Sequence, residues 1–242
     1  MATVVDVPKT FGALLLGGLF AAVLSGVVAV QVIVYFKLYP SDAFRTKLLV
    51  LVIWFLDTCH TGFIWAALWE YFIQQYGERE GIDFIPWNIA LTIVFTAVLT
   101  FFVHWYGIFV VSQRNWFITI PIVSYHPFLR FVLTTNRLHF HSFNKFALHV
   151  RWLFTLGLAL SSCVDIIITC SLFYLLQTSR TGAASLNIVI DSLIRYAFET
   201  GSLTCAGTIV SMVCWVAMRN NLIFMGLHFV ISKFYANSLL VT

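Results

Sequence analysis

Along the chain, apolar residues gather into runs of about 20 separated by short polar breaks, with neither period-2 alternation nor narrow amphipathic stripes. A run of that length matches a bilayer core roughly 30 Å thick at 1.5 Å per helical residue. The pattern predicts an all-α polytopic bundle of seven transmembrane helices, at about 11–36, 47–72, 87–111, 116–135, 150–176, 191–218 and 222–241, in a single domain over residues 1–242. The fourth is the weakest span, because Pro121, His126, Pro127 and Arg130 interrupt it. Each proline removes a backbone donor, so this helix is expected to be kinked or partly unwound. No small-residue cleavage site ends the first run, which therefore reads as a span and not as a removed signal peptide.

Composition agrees with the pattern. Of 242 residues, 60% are hydrophobic and 10% charged, and the mean hydropathy is +0.91; a soluble globule carries about 25% charged residues. Soluble enzymes, nucleic-acid binders and disordered tails are excluded. The net charge of +4 is spread without a run of like charges, and it reads as ordinary loop chemistry. Lys and Arg divide almost evenly between the two sides. The densely basic first loop favours an N-terminus outside and a C-terminus in the cytoplasm, in a membrane the sequence does not identify. The loops are short except for 136–149, which holds His139, His141 and His149 and reads as a solvated loop with no compact metal-ligand spacing, and 177–190. Cys59, Cys163, Cys170, Cys205 and Cys214 all lie in apolar segments and read as buried small hydrophobes.

Small residues recur at four-residue intervals in the first span, at Gly18, Ala22 and Gly26, with Gly17, Ala21 and Ser25 one position earlier. Such a face lets a second backbone come close, either within the bundle or across a homodimer. Span six repeats the spacing with Thr200, Thr204 and Thr208.

Ionisable groups inside the spans carry the candidate chemistry, since each costs on the order of 2.5–3.5 kcal/mol at the bilayer centre. Asp57, His104, Asp165, Glu199 and Lys233 all fall roughly 10–17 Å from the first-loop face when depth is counted along their helices. They predict one polar cluster, completed by Trp54 and His60, in which Lys233 is neutralised by Asp57, Asp165 or Glu199. Asp57 and His60, three residues apart, share a helix face. Such a cluster serves either to fix helix packing or as a ligand or proton-handling site.

Five strings occur in order. They are Leu56-Asp57-x-x-His60, Ser161-Ser162-x-x-Asp165, Ser179-Arg180-Thr181-Gly182, Tyr196-x-x-x-Thr200-Gly201-x-Leu203-Thr204 and Ser232-Lys233-x-Tyr235-x-Asn237-Ser238-Leu239-Leu240. Together they resemble a fungal family of seven-span membrane proteins, abundant in mushroom-forming fungi, whose function is unknown. The resemblance covers nearly the whole chain; it implies a seven-helix integral membrane protein and supplies no activity. Two departures stand out: the broken fourth span, and an end at Thr242 where family members continue into a polar cytoplasmic tail, as expected of a truncated or alternatively spliced form.

The leading functional expectation is a non-enzymatic receptor-like or sensor-like protein that holds a small apolar ligand within the polar cluster. Its partners are then the lipid bilayer and that ligand, with no nucleic acid, cofactor or metal. The alternative is a membrane-embedded enzyme comparable to the terpene cyclases, with Asp57 or Glu199 as a proton donor kept protonated by desolvation; the motifs of that class are missing around both carboxylates. A retinal protein with Lys233 as Schiff base and Asp57 or Asp165 as counter-ion ranks below it. So does a transporter, for which no inverted repeat is visible.

Overall fold

The computed structural model describes residues 8–74, 86–111, 143–178, 184–218 and 221–241. Among these every element is helical: α1 (Ala13–Leu38), α2 (Phe44–Trp69), α3 (Trp87–Val111), α4 (Phe143–Thr178), α5 (Ala184–Ala217) and α6 (Ile223–Val241). A π-helical turn precedes α1 (Pro8–Gly12) and another follows α2 (Glu70–Gln74). Five helices are long and apolar enough to cross a membrane, while α5 contributes a shorter apolar stretch, Gly201–Ala217. The expected fourth span at 116–135 lies outside the described residues, as do His139 and His141.

Two helices begin earlier than hydropathy indicated. α4 starts at Phe143, so His149 sits in a helix and not in a loop, and α5 starts at Ala184, inside the stretch expected to be the fifth loop. At 36 and 34 residues they are about 54 and 51 Å long, well beyond the bilayer core. Hydropathy marks only the part of a helix inside the apolar layer. The polar N-terminal turns, with Asn144 and Lys145 in α4 and Asn187 and Asp191 in α5, continue the same backbone ladder outside it.

Side-chain pairings set the helix directions. Gly17 meets Gly226 and the Leu24 carbonyl accepts from Asn237, so α1 and α6 run together. Leu68 against Gly18 and Asp57 against Ser25 place α2 antiparallel to α1. Thr96 near His228 and His104 beside Tyr235 align α3 with α6. Ser162 to Thr208, and Thr169 against Gly201, reverse α5 relative to α4; α5 is also antiparallel to α6, with Ser211 bonded to the Phe224 carbonyl and Gly207 against Ile231. Thus α1, α3, α4 and α6 share one direction, and α2 and α5 oppose it.

α6 is the most enclosed of the spans and touches α1, α2, α3 and α5. Its contact with α1 is close because two glycines face each other: a Cβ on Gly17 would lie 2.5 Å from the Gly226 Cα, and one on Gly226 would strike the Ala13 carbonyl. Gly18 is filled by Leu68 in the same way, whereas Gly26 faces open space. Two glycines of the small-residue face are therefore engaged within the chain. Outward positions such as Leu16, Phe20, Val23 and Val30 are exposed, as expected of a lipid-facing surface. Cys163 and Cys170 also point outward, which corrects the expectation that all five thiols are buried. An apolar run in a span does not distinguish positions that face lipid from positions that face protein.

Two apolar clusters close the bundle at its ends. One, near the N-terminal face, gathers Leu14, Ile64, Leu68, Trp215, Phe224 and Phe229; the other, towards the first loop, gathers Val28, Val32, Ile53, Leu99 and Ala236. Gly17→Ala is expected to lower stability in detergent by about 1–3 kcal/mol through overpacking, and Gly26→Ala to change it by less than about 0.5 kcal/mol; thermal unfolding of the purified variants measures both.

Candidate functional site

The buried face of α2 explains why a polar layer exists. Its inward positions are Val50, Ile53, Asp57, His60, Ile64 and Ala67, spaced three and four apart, so one helical stripe is apolar at both ends and polar in the middle. On α6 the layer is carried by His228, Ser232, Lys233 and Tyr235, all buried. His228, Ser232 and Tyr235 fall at i, i+4 and i+7 on one face, and Lys233 is turned about 100° away from Ser232. α6 therefore presents Lys233 to α1 and α2 and the other three to α2, α3 and α4.

The first unit is an ion pair. Lys233 Nζ donates to Asp57 Oδ1 at 2.8 Å, to the Asp57 carbonyl at 2.9 Å and to Thr61 Oγ1 at 2.6 Å, which uses all three ammonium protons. Ser25 of α1 donates to Asp57 Oδ2. Both Asp57 and Lys233 are 0% exposed. Desolvating two charges costs several kcal/mol per ion, and only a geometry that meets every lone pair and proton repays it. Asn237 adds a tie from α6 to α1, with Nδ2 facing the Leu24 carbonyl at 3.5 Å.

The second unit surrounds His60. Its Nδ1 lies 3.0 Å from Ser232 Oγ and its Nε2 lies 3.2 Å from Thr96 Oγ1, which is itself 3.4 Å from His228 Nε2. The third joins α3, α4 and α6. His104 Nε2 is 2.9 Å from Asp165 Oδ1, Tyr235 Oη donates to Asp165 Oδ2 at 2.6 Å, and Ser161 Oγ lies 3.1 Å from the same phenol. Ser162 and Thr208 extend the polar contacts to α5 at 2.9 Å.

Asp57, His60, His104, Asp165 and Lys233 thus lie in three adjoining units around α6, and Lys233 takes Asp57 as its partner. Two expected members are elsewhere. Glu199 is half exposed and accepts from Arg195 Nε at 2.8 Å one turn back on α5, so its charge is met locally and it does not turn inward. Trp54 is 41% exposed and faces outward. Several partners were not assigned to the cluster from the sequence: Thr61 and Thr96 were not singled out, Ser25 was read only as part of the small-residue face, and Ser232 and Tyr235 only as part of a family string. The available signal was on α3, where Thr92, Thr96, Thr100 and His104 recur every four residues and are all buried.

As chemistry, the layer is closed. Both oxygens of Asp57 and both of Asp165 accept hydrogen bonds from the protein's own side chains. The open cavity between α2 and α3 is lined by none of these residues.

Apolar outer surfaces, several membrane-length helices and a dry polar interior define a multi-pass integral membrane protein. Residues 161–242, roughly the C-terminal third, match a family described as a family of unknown function (DUF6534). The match takes in α5, α6 and α4 from Ser161 onward. No curated protein and no solved structure matches the chain.

Removing one member of the ion pair strands the other. Lys233→Met or Asp57→Leu alone is expected to cost about 3–5 kcal/mol, and the double variant to recover most of that loss. Thermal unfolding of the three variants in one detergent forms the double-mutant cycle.

Proposed function

We propose that the chain is a seven-span receptor-like or sensor-like membrane protein in which a small membrane-soluble ligand acts on α2, and through α2 on the ion pair that holds α6. One observation carries this reading: Lys233 and Asp57 are wholly buried with their charges met by three helices, so the pair has a defined closed arrangement and a costly open one. α2 also borders the cavity on its outer side, so a ligand there contacts the helix that bears Asp57.

The enzyme alternative has less support. A proton donor must reach its substrate within hydrogen-bond distance; Asp57 is committed to Lys233 and Ser25, and Glu199 to Arg195. A retinal linkage to Lys233 meets the same obstacle, since the amine is already saturated.

Helix directions support the count of seven. α3 and α4 run the same way, which puts Val111 and Phe143 at opposite faces, as a seven-span arrangement requires. The termini then lie on opposite sides, and the densely basic first loop favours an N-terminus outside. In a cysteine-free background, Val111→Cys is expected to react with a membrane-impermeant maleimide from the same side as Ser41→Cys, and Phe143→Cys from the side of Gln74→Cys. Reaction of Val111→Cys and Phe143→Cys from one side rejects seven spans.

The sensor reading is checked by spin-label distances between the ends of α2 and α6 in nanodiscs. Asp57→Asn is expected to add a second distance population to a folded protein. An unchanged distribution would make the pair a passive strut. Conversion of an epoxy-prenyl substrate that disappears in Asp57→Asn would establish the enzyme instead.

A further inference from the structure

An open groove of about 560 Å³ lies between α2 and α3 at the N-terminal face, on the side of α2 turned away from Lys233. At its membrane-surface end stand Glu70, Asn88, Trp69 and Trp87; it continues past Phe63 and Gly62 towards the bilayer centre. Glu70 and Gly62 are eight residues apart along α2 and its terminal turn, about 12 Å. A Cβ on Gly62 would meet nothing within 4 Å, so the inner part of the groove is open.

Its polar end contains an unmet requirement. Asn88 Nδ2 donates to Glu70 Oε2 at 3.2 Å, while Asn88 Oδ1 is buried and, among the described residues, accepts no hydrogen bond, in a residue only 5% exposed. A buried acceptor left without a donor costs about 1–3 kcal/mol. The polar groups at this end are the Glu70 carboxylate, the Gln74 amide and Asn88, whose buried Oδ1 is an acceptor still in need of a donor. Trp69 and Trp87 flank them, and Phe63 meets the Trp87 ring edge-on at 6.1 Å. A carboxylate, an amide oxygen and neighbouring indoles suit a cation that carries N–H protons. They repel a phosphate or carboxylate head. A quaternary ammonium would satisfy the indoles but has no proton for Asn88.

We infer that this groove binds a long-chain primary amine, its ammonium between Glu70 and Asn88 and its single hydrocarbon chain along Phe63 and Gly62. The volume is that of a small-ligand site, suited to one chain and not to a two-chain lipid. A phosphoethanolamine head is disfavoured because its phosphate would lie near the Glu70 carboxylate. The inference rests on the sensor reading only where it takes this amine to be the ligand that acts on α2; binding itself stands apart from it.

The test uses the full chain in detergent micelles, with octadecylamine as probe and native mass spectrometry to count retained adducts. One molecule per chain is expected for the parent protein, with at least tenfold weaker retention in Glu70→Gln and in Gly62→Leu. Octadecyltrimethylammonium is expected to be retained at least tenfold less well than octadecylamine. Gly62 points into open space, so its substitution leaves the helix contacts intact and keeps the test valid if Glu70→Gln impairs folding. Equal retention by parent and both variants overturns the site, as does preference for the trimethyl probe or for dioleoyl phosphatidylethanolamine. Octadecylamine retained at the groove with no change in the α2 to α6 spin-label distance would uphold the site and reject the sensor reading; a distance response to the amine that survives Gly62→Leu would do the reverse.

Discussion

A lysine ammonium with no exposed surface, inside a bundle whose outer face meets lipid, is the constraint on which this structure turns. It requires a counter-charge and two further acceptors within about 3 Å, because the apolar surroundings offer no water to substitute for them. Asp57 provides a carboxylate oxygen and its own backbone carbonyl, and Thr61 provides the third acceptor. All of these lie on α2. The far oxygen of Asp57 is met by Ser25 of α1, so three helices are drawn to one point.

The glycine contact belongs to the same solution. Ser25 and Leu24 come near α2 and α6 because Gly17 and Gly226 let α1 and α6 approach with backbone nearly touching backbone. Above and below, the two apolar clusters keep the pair dry. Dryness makes the attraction strong, and makes an unpaired charge equally expensive. Lys233 and Tyr235, two positions apart on α6, face different neighbours. One helix therefore carries the ion pair on one side and the phenol to Asp165 contact on another. A rotation of α6 would disturb both together, so the layer behaves as a single mechanical element.

Much of the architecture was legible in the chain. The spans at α1, α2, α3 and α6 lie within a few residues of the apolar runs, because burying a helix in hydrocarbon demands a continuous apolar stretch of known length. The helix starts at Phe143 and Ala184 were not legible, since a helix leaving the bilayer loses its hydropathy signal and keeps its hydrogen-bond ladder. Depth counting placed Asp57, His104, Asp165 and Lys233 at one level. It carried no information about azimuth, and its count for Glu199 started from Asp191 although α5 begins at Ala184; Glu199 lies before the apolar stretch Gly201–Ala217, where Arg195 neutralises it one turn away on the exposed side of α5.

What the sequence determined by itself is therefore one-dimensional: which stretches are apolar enough to cross a membrane as helices, and how deep Asp57, His104, Asp165 and Lys233 lie along theirs. These follow from hydrocarbon thickness and helical rise, which act on each segment separately. The tertiary structure decided the choice of Asp57 over Asp165 for Lys233, the assembly of Asp165 with His104 and Tyr235, and the exclusion of Trp54 and Glu199. It also placed the open groove on the outer side of α2 and not at the polar layer. Those outcomes depend on the rotation of each helix about its own axis and on which helices are neighbours. Both are set by contacts between segments far apart in the chain, such as Gly17 with Gly226 and Asp57 with Lys233.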